Sequence, residues 1–205
     1  GFNKSKRQLS TTFQIMADLH NARQRALSSG SPVYVLFYPS QHYVDHRIGN
    51  LANRAVLTNY FRTNKIADNL RPMASYAFYS TEAIGDQPGR RSPRYLSDWK
   101  QLPKSSRFGY ISEQVNQFSW PNWTNWIAVS GVENDSPSTN RPTLLLPYIC
   151  FNNRGQLVRG ENGPLRELTT QVKLYSGLIT PGSGTNGIII NHITGRARML
   201  KPGEN

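Results

Sequence analysis

The stretch ADLHNARQRALSSGSPVYV, residues 17–35, leaves the chain few ways to fold. Leu19, Ala22 and Ala26 recur at steps of three and four, the spacing that lines side chains up on one face of an α-helix. Leu9, Phe13 and Met16 continue the same steps upstream, so a single amphipathic helix is predicted over residues 4–29. Gly30 suits a left-handed cap, and Pro32 cannot continue a helix. VYVLFY, residues 33–38, follows at once and reads as a buried strand. The helix is therefore expected to lay its Phe13/Met16/Leu19 face partly on a β-sheet. Its Ala22/Ala26 end, being small, is expected to be the most buried.

Beyond this unit, Ile48, Leu51, Ala52, Ala55, Val56 and Tyr60 repeat at helical spacing and mark a second helical candidate. From about residue 73 onward the texture is strands separated by Gly, Pro, Asn and Ser. Strand candidates are residues 73–79, 124–131, 143–151, 169–177, 187–193 and 196–200. EAIGDQPGRRSPRY, residues 82–95, reads as an exposed loop carrying Arg90, Arg91 and Arg94. A chain of 205 residues is one domain by size, and helix first, sheet after is an α+β order.

Two C-terminal hairpins have readable turns. In YICFNNRGQLV, Asn152, Asn153 and Gly155 tolerate positive φ, and Thr194-Gly195 does the same in IIINHITGRARML. In a strand over 196–200, Arg196 and Arg198 share one face, roughly 6.5–7 Å apart, and Ala197 and Met199 share the other.

Charge narrows the choice of partners. Twenty-four Lys and Arg stand against 12 Asp and Glu, a formal +12 spread along the chain rather than massed in a tail. Such a balance suits either a polyanion ligand or a plainly solvated basic surface. No stretch approaches the roughly 20 apolar residues that cross a bilayer, and no signal-peptide core is visible. The single cysteine, Cys150, excludes an internal disulfide, and its apolar setting reads as an inert thiol.

Catalytic and metal patterns are weak. His42 and His46 are four apart with Asp45 between them, but the position after His42 is Tyr43, where a zinc protease needs Glu. There is no Gly-x-Ser-x-Gly, no phosphate-cradling glycine loop, and the close carboxylates Glu133 and Asp135 sit in a loop-like segment. No catalytic, cofactor or metal residue is assigned, and a hydrolase ranks third among the functions considered. Trp120, Trp123 and Trp126, three apart in SWPNWTNW, either cover an edge of the core or form a partner-docking surface.

The segments LHNARQRAL (19–27), ICFNNRGQL (149–157) and ITGRARML (193–200), with Val33 opening the first strand, resemble the soluble part of type IV pilin-like proteins. The closer resemblance is to the H-type minor pseudopilin of type II secretion and to minor pilins of the FimT type. It covers both ends of the chain and leaves an insertion-rich middle, residues 40–120, ahead of a C-terminal antiparallel sheet over 121–205. It implies a pilin-like α+β fold, with a long N-terminal helix packed on antiparallel sheet.

Family members begin at a leader cut before an N-methylated Phe, followed by an apolar helix half that anchors in the membrane. By that resemblance, Gly1 is a remnant of how the chain was trimmed, and residues 4–29 are the second half of a longer helix. The implied function is a non-enzymatic filament subunit for protein secretion, without cofactor. Its partners would be other pseudopilins met through the N-terminal helix. Its place would be the periplasmic side of a bacterial inner membrane or the filament itself, the isolated domain being monomeric. The alternative is a DNA-binding minor pilin, because members of the FimT type use a C-terminal Gly-Arg-x-Arg on DNA and GRAR, residues 195–198, matches it.

Overall fold

Gly30 ends the first helix in the left-handed conformation its sequence demands, at φ 67°. In the computed structural model, residues 2–38, 70–82, 93–104, 106–112, 126–129, 144–159, 166–167, 172–178 and 185–200 are described. Helix α1 spans Phe2–Ser29 and strand β1 spans Val33–Phe37. The remaining strands are β2 (Ser75–Ser80), β3 (Arg94–Tyr95), β4 (Lys100–Gln101), β5 (Ser106–Ser112), β6 (Trp126–Val129) and β7 (Leu144–Phe151). They continue with β8 (Leu157–Arg159), β9 (Arg166–Glu167), β10 (Val172–Leu178), β11 (Thr185–Ile190) and β12 (Ala197–Met199).

Among the described residues the strands form two sheets, and every pairing is antiparallel. The first runs β3-β2-β1-β7-β8-β9, with β4 also on β2 and β6 also on β7; the second runs β12-β11-β10-β5. The fold is thus α+β, with one N-terminal helix packed against antiparallel sheets. The second helical candidate, the His42/Asp45/His46 cluster and the Glu133/Asp135 pair lie outside the described residues. The segment read as a loop over 82–95 ends in β3, whose Tyr95 and Arg94 pair with Tyr79 and Ser80 of β2.

Strand alternation places Val33, Val35 and Phe37 of β1, Tyr76 and Phe78 of β2, and Ile149 and Phe151 of β7 in one core. Phe108, Leu174, Ile188 and Ile190 join it from the second sheet, and Ile15, Leu19, Ala22 and Ala26 from α1. Both sheets therefore share one helix. Ala22 and Ala26 are fully buried, their small side chains allowing close approach of the backbone. Each larger aliphatic buried here stabilises by about 1.5–3 kcal/mol. Both faces of β1 and β2 are buried, which accounts for the unbroken apolar run VYVLF.

One expectation fails. Phe13 does not lie on the sheet; it is 53% exposed, and Leu9 is 41% exposed. A three-residue step lags one full turn by about 60°, and Phe13, Met16, Leu19 and Ala22 are joined by three such steps. Their faces therefore rotate through about half a turn. The true packed row is Ile15, Leu19, Ala22 and Ala26, flanked by buried Thr11, Thr12 and Asp18.

Candidate functional site

The three segments that carried the resemblance converge on one side chain. Arg23, half-buried on α1, donates from Nε to the Thr194 carbonyl at 2.6 Å. Gly155 and Gly195 sit beside it at φ 72° and 62°. A Cβ on Gly195 would fall 1.9 Å from the Gly155 carbonyl oxygen, and one on Gly155 would fall 3.0 Å from Arg23 Nε. Only glycine fits at Gly195, for conformational and steric reasons together.

Side-chain amides build the two turns. Asn152 Oδ1 accepts from the backbone N–H of Arg154 and Gln156, both at 2.9 Å, and Asn191 Oδ1 accepts from Ile193 and Thr194. The Leu157 N–H reaches the His192 carbonyl at 2.9 Å, joining the two sheets. These motif residues are engaged in holding helix and hairpins together.

Arg196 and Arg198 are both exposed, while Ala197 packs against the core and Met199 is half-buried. The ladders run Arg198, Ile189, Lys173 and Ser112 in one row across the second sheet. Arg198 and Lys173 therefore stand two strands apart, about 9.5 Å, on the face away from the helix. Exposed Arg107 is on that face too, since its neighbour Phe108 is buried in the core. Sequence reading found the two arginines from their alternation. It missed Lys173 and Arg107, which only the strand register brings beside them.

A polar seam ties α1 to the edge of the first sheet. Asp18 is buried; Tyr76 Oη donates to its Oδ2 at 2.5 Å and Lys100 Nζ pairs with its Oδ1. Gln14 Nε2 donates to Tyr76 Oη at 3.3 Å, and Arg25 Nη1 donates to the Leu96 carbonyl at 2.6 Å. The Phe78 ring lies 4.8 Å from Lys100 Nζ and 5.7 Å from the Arg25 guanidinium. Burial, then the hydrogen bond and charge of Asp18, push the Tyr76 hydroxyl above its usual value of 10.0. The available signal was an Asp within the helix's apolar row, one turn before Ala22.

On the opposite flank of α1, Leu9, Phe13 and Leu27 are exposed, whereas Met16 on the same side is half-buried and packs against the core. Among the described side chains of α1, Lys6, Leu9 and Ser10 are exposed and Thr11 and Thr12 are buried.

Cys150 is fully buried, and burial pushes its thiol well above the usual range, which suits packing rather than nucleophilic attack. Trp120 and Trp123 lie outside the described residues; the Trp126 backbone pairs with Pro147. An open depression of about 330 Å³ beside the β7–β8 turn is lined, among the described residues, by Gly30, Pro32, Glu82, Asn152, Asn153, Arg154 and Val158. Among the described residues no group of three His, Cys, Asp or Glu is placed to hold a metal, and no helix is long and apolar enough to cross a membrane. No family model matches the chain, and neither a curated protein nor a solved structure is detectably similar to it.

Proposed function

We propose that the chain is a non-enzymatic subunit of a type IV pilus-like filament, of the H-type minor pseudopilin kind, acting in assembly of a type II secretion pseudopilus. One observation carries this reading: the N-terminal helix packs from Thr11 onward against two sheets, while Leu9, Phe13 and Leu27 on one flank of it stay exposed. An enzyme needs a cleft with converging reactive groups, whereas a filament subunit needs a helix that can pack on neighbours. On this reading the domain faces the periplasm from a membrane-anchored chain, and its partners are other subunits of the filament.

The test is incorporation of the anchored chain into sheared filaments in cells. Phe13→Ser is expected to lower incorporation strongly, with cellular level and unfolding midpoint unchanged. Incorporation equal to that of the unaltered chain would contradict the reading.

A second reading, capture of DNA for uptake, is favoured by the row Arg198–Ile189–Lys173 with Arg107 on the same face. A flat cationic face would contact phosphates without reading sequence. Replacing Arg196 and Arg198 by Ala should then reduce the log–log salt slope of binding by about 2, and adding Lys173→Ala by about one more. A loss no greater than that from Arg154→Ala, at the β7–β8 turn, would leave the face merely solvated.

A further inference from the structure

We propose that the end of the domain where α1 stops docks an acidic segment of another protein, one that sets Asp or Glu carboxylates beside an apolar side chain. The inference goes beyond the filament reading and does not depend on it. Arg23, near the end of α1, brings the β7–β8 and β11–β12 turns together, because its side chain rests against Gly155 and Gly195. The residues next to those glycines, Arg154 and Arg196, therefore flank one small area of surface. Ile193 stands at the tip of the second turn. At 62% exposure it is the most exposed large hydrophobic side chain among the described residues. Arg154 also lines the depression beside its own turn, which Gly30 and Pro32 line from the end of α1.

The charge at this surface selects the occupant. Arg154 and Arg196 are exposed, and each makes its hydrogen bonds through the backbone. Among the described residues, neither guanidinium has a hydrogen-bond or ion-pair partner. Glu82, the carboxylate that lines the depression, already has a partner within the chain. A guanidinium fork takes a carboxylate through two parallel hydrogen bonds, and Ile193 takes an apolar group from the same segment. A nucleic-acid backbone would meet the two arginines but offers nothing apolar to Ile193. A second copy is disfavoured by the formal charge of +12, which repels copies at long range.

Both turns are held before any partner arrives. Asn152 Oδ1 accepts from the Arg154 N–H and Asn191 Oδ1 from the Ile193 N–H, so both side chains project from fixed backbone. The Gly155 and Gly195 N–H groups close on the Asn152 and Asn191 carbonyls at 2.8 and 2.7 Å. Docking therefore needs little further ordering of these loops.

The probe is a short dye-labelled peptide alternating Glu and Leu, beside a control with Gln in place of Glu, both followed by fluorescence anisotropy. The Glu peptide should bind, more weakly at about 0.5 M salt, and at least about tenfold more weakly to Arg154→Ala and to Ile193→Ser. The Gln peptide should bind at least about tenfold more weakly than the Glu peptide. Lys104→Ala is the charge control. Lys104 is exposed near Ser106, whose hydroxyl meets Thr11, about 18 Å back along α1 from Arg23. Its replacement should leave the affinity unchanged. Both site variants keep the backbone hydrogen bonds of their turns, so their unfolding midpoints should hold and lost binding reports the surface. Equal losses from Lys104→Ala and Arg154→Ala would reduce the effect to net charge and overturn the proposal, as would equal binding of the two peptides. Self-association abolished by Ile193→Ser would overturn it in favour of a second copy. Duplex DNA binding more tightly than the Glu peptide, and equally sensitive to Arg154→Ala, would overturn it in favour of nucleic acid. None of these outcomes bears on entry of the anchored chain into filaments, so the filament reading fails or holds separately.

Discussion

Two rows of apolar side chains run along α1, and their fates are opposite. Ile15, Leu19, Ala22 and Ala26 vanish between the sheets, whereas Leu9, Phe13 and Leu27 remain exposed. Both rows obey helical spacing, so periodicity alone does not tell a core face from a docking face. The difference lies in what borders each row. The buried row carries polar groups with partners on the sheets, Asp18 on Tyr76 and Lys100, and Thr11 on Ser106. Leu9 and Phe13 themselves stay exposed at 41% and 53%. A row fixed by such seams belongs to folding; on the proposed function, the exposed row is the one that meets neighbouring subunits.

The largest effect that can break this comparison is expected at the clamp below the buried row. Gly195→Ala would drive a Cβ into the Gly155 carbonyl and strain φ at once. We expect destabilisation of about 4 kcal/mol or more, seen as loss of the cooperative transition in chemical denaturation. Gly30→Ala is the contrast, with the same sign of φ and nothing within 4 Å. It should lose only about 1–2 kcal/mol. Similar losses at the two glycines would mean that the Arg23 junction does not bind helix to hairpins.

Next in size is the row itself. Leu19→Ala should cost about 2–5 kcal/mol, because Leu19 is 2% exposed and touches the shared core. Thermal unfolding at fixed pH measures it.

Alkaline pH gives a smaller, graded effect. Burial raises Cys150 above its ordinary 9.0 and Tyr34 and Tyr76 above their ordinary 10.0. In the unfolded chain these groups ionise at their ordinary values, so above them the unfolded state binds fewer protons and stability falls as pH rises. The decline should begin near pH 9 through Cys150 and steepen above pH 10 as the tyrosines join. Each group adds about 1.4 kcal/mol per pH unit once its unfolded form is ionised. Cys150→Ala should delay the onset toward pH 10, and an unchanged onset would mean the thiol is accessible in the folded state.

Much of the architecture was legible where backbone conformation dictates residue type. Gly30, Gly155 and Gly195 each occupy a left-handed position that the sequence marked as a cap or turn. The exposed pair Arg196 and Arg198 followed from alternation, as did strand β12, which holds Arg198 at its centre. Strand β5 was not legible, because its register slips: Phe108 opposes Ser176 and Ile111 opposes Leu174, so an extra residue breaks the period of two. The candidate site was less legible than the fold. Lys100 reaches Asp18 across 82 positions, and Lys173 meets Arg198 only through the shared strand β11. Neither relation has a local signature. The slide of Phe13 off the packed face was legible in principle, from three successive three-residue steps.

The smallest expected change in stability tests the central claim most directly. Leu19→Ala and Phe13→Ser should be compared side by side for unfolding midpoint and, in the anchored chain, for incorporation into sheared filaments. The proposed division of α1 into a folding face and an assembly flank predicts that Phe13→Ser shifts stability by no more than about 0.5 kcal/mol yet loses incorporation, while Leu19→Ala loses the fold's stability first. A Phe13→Ser variant destabilised as much as Leu19→Ala would contradict the division and make the flank part of the core.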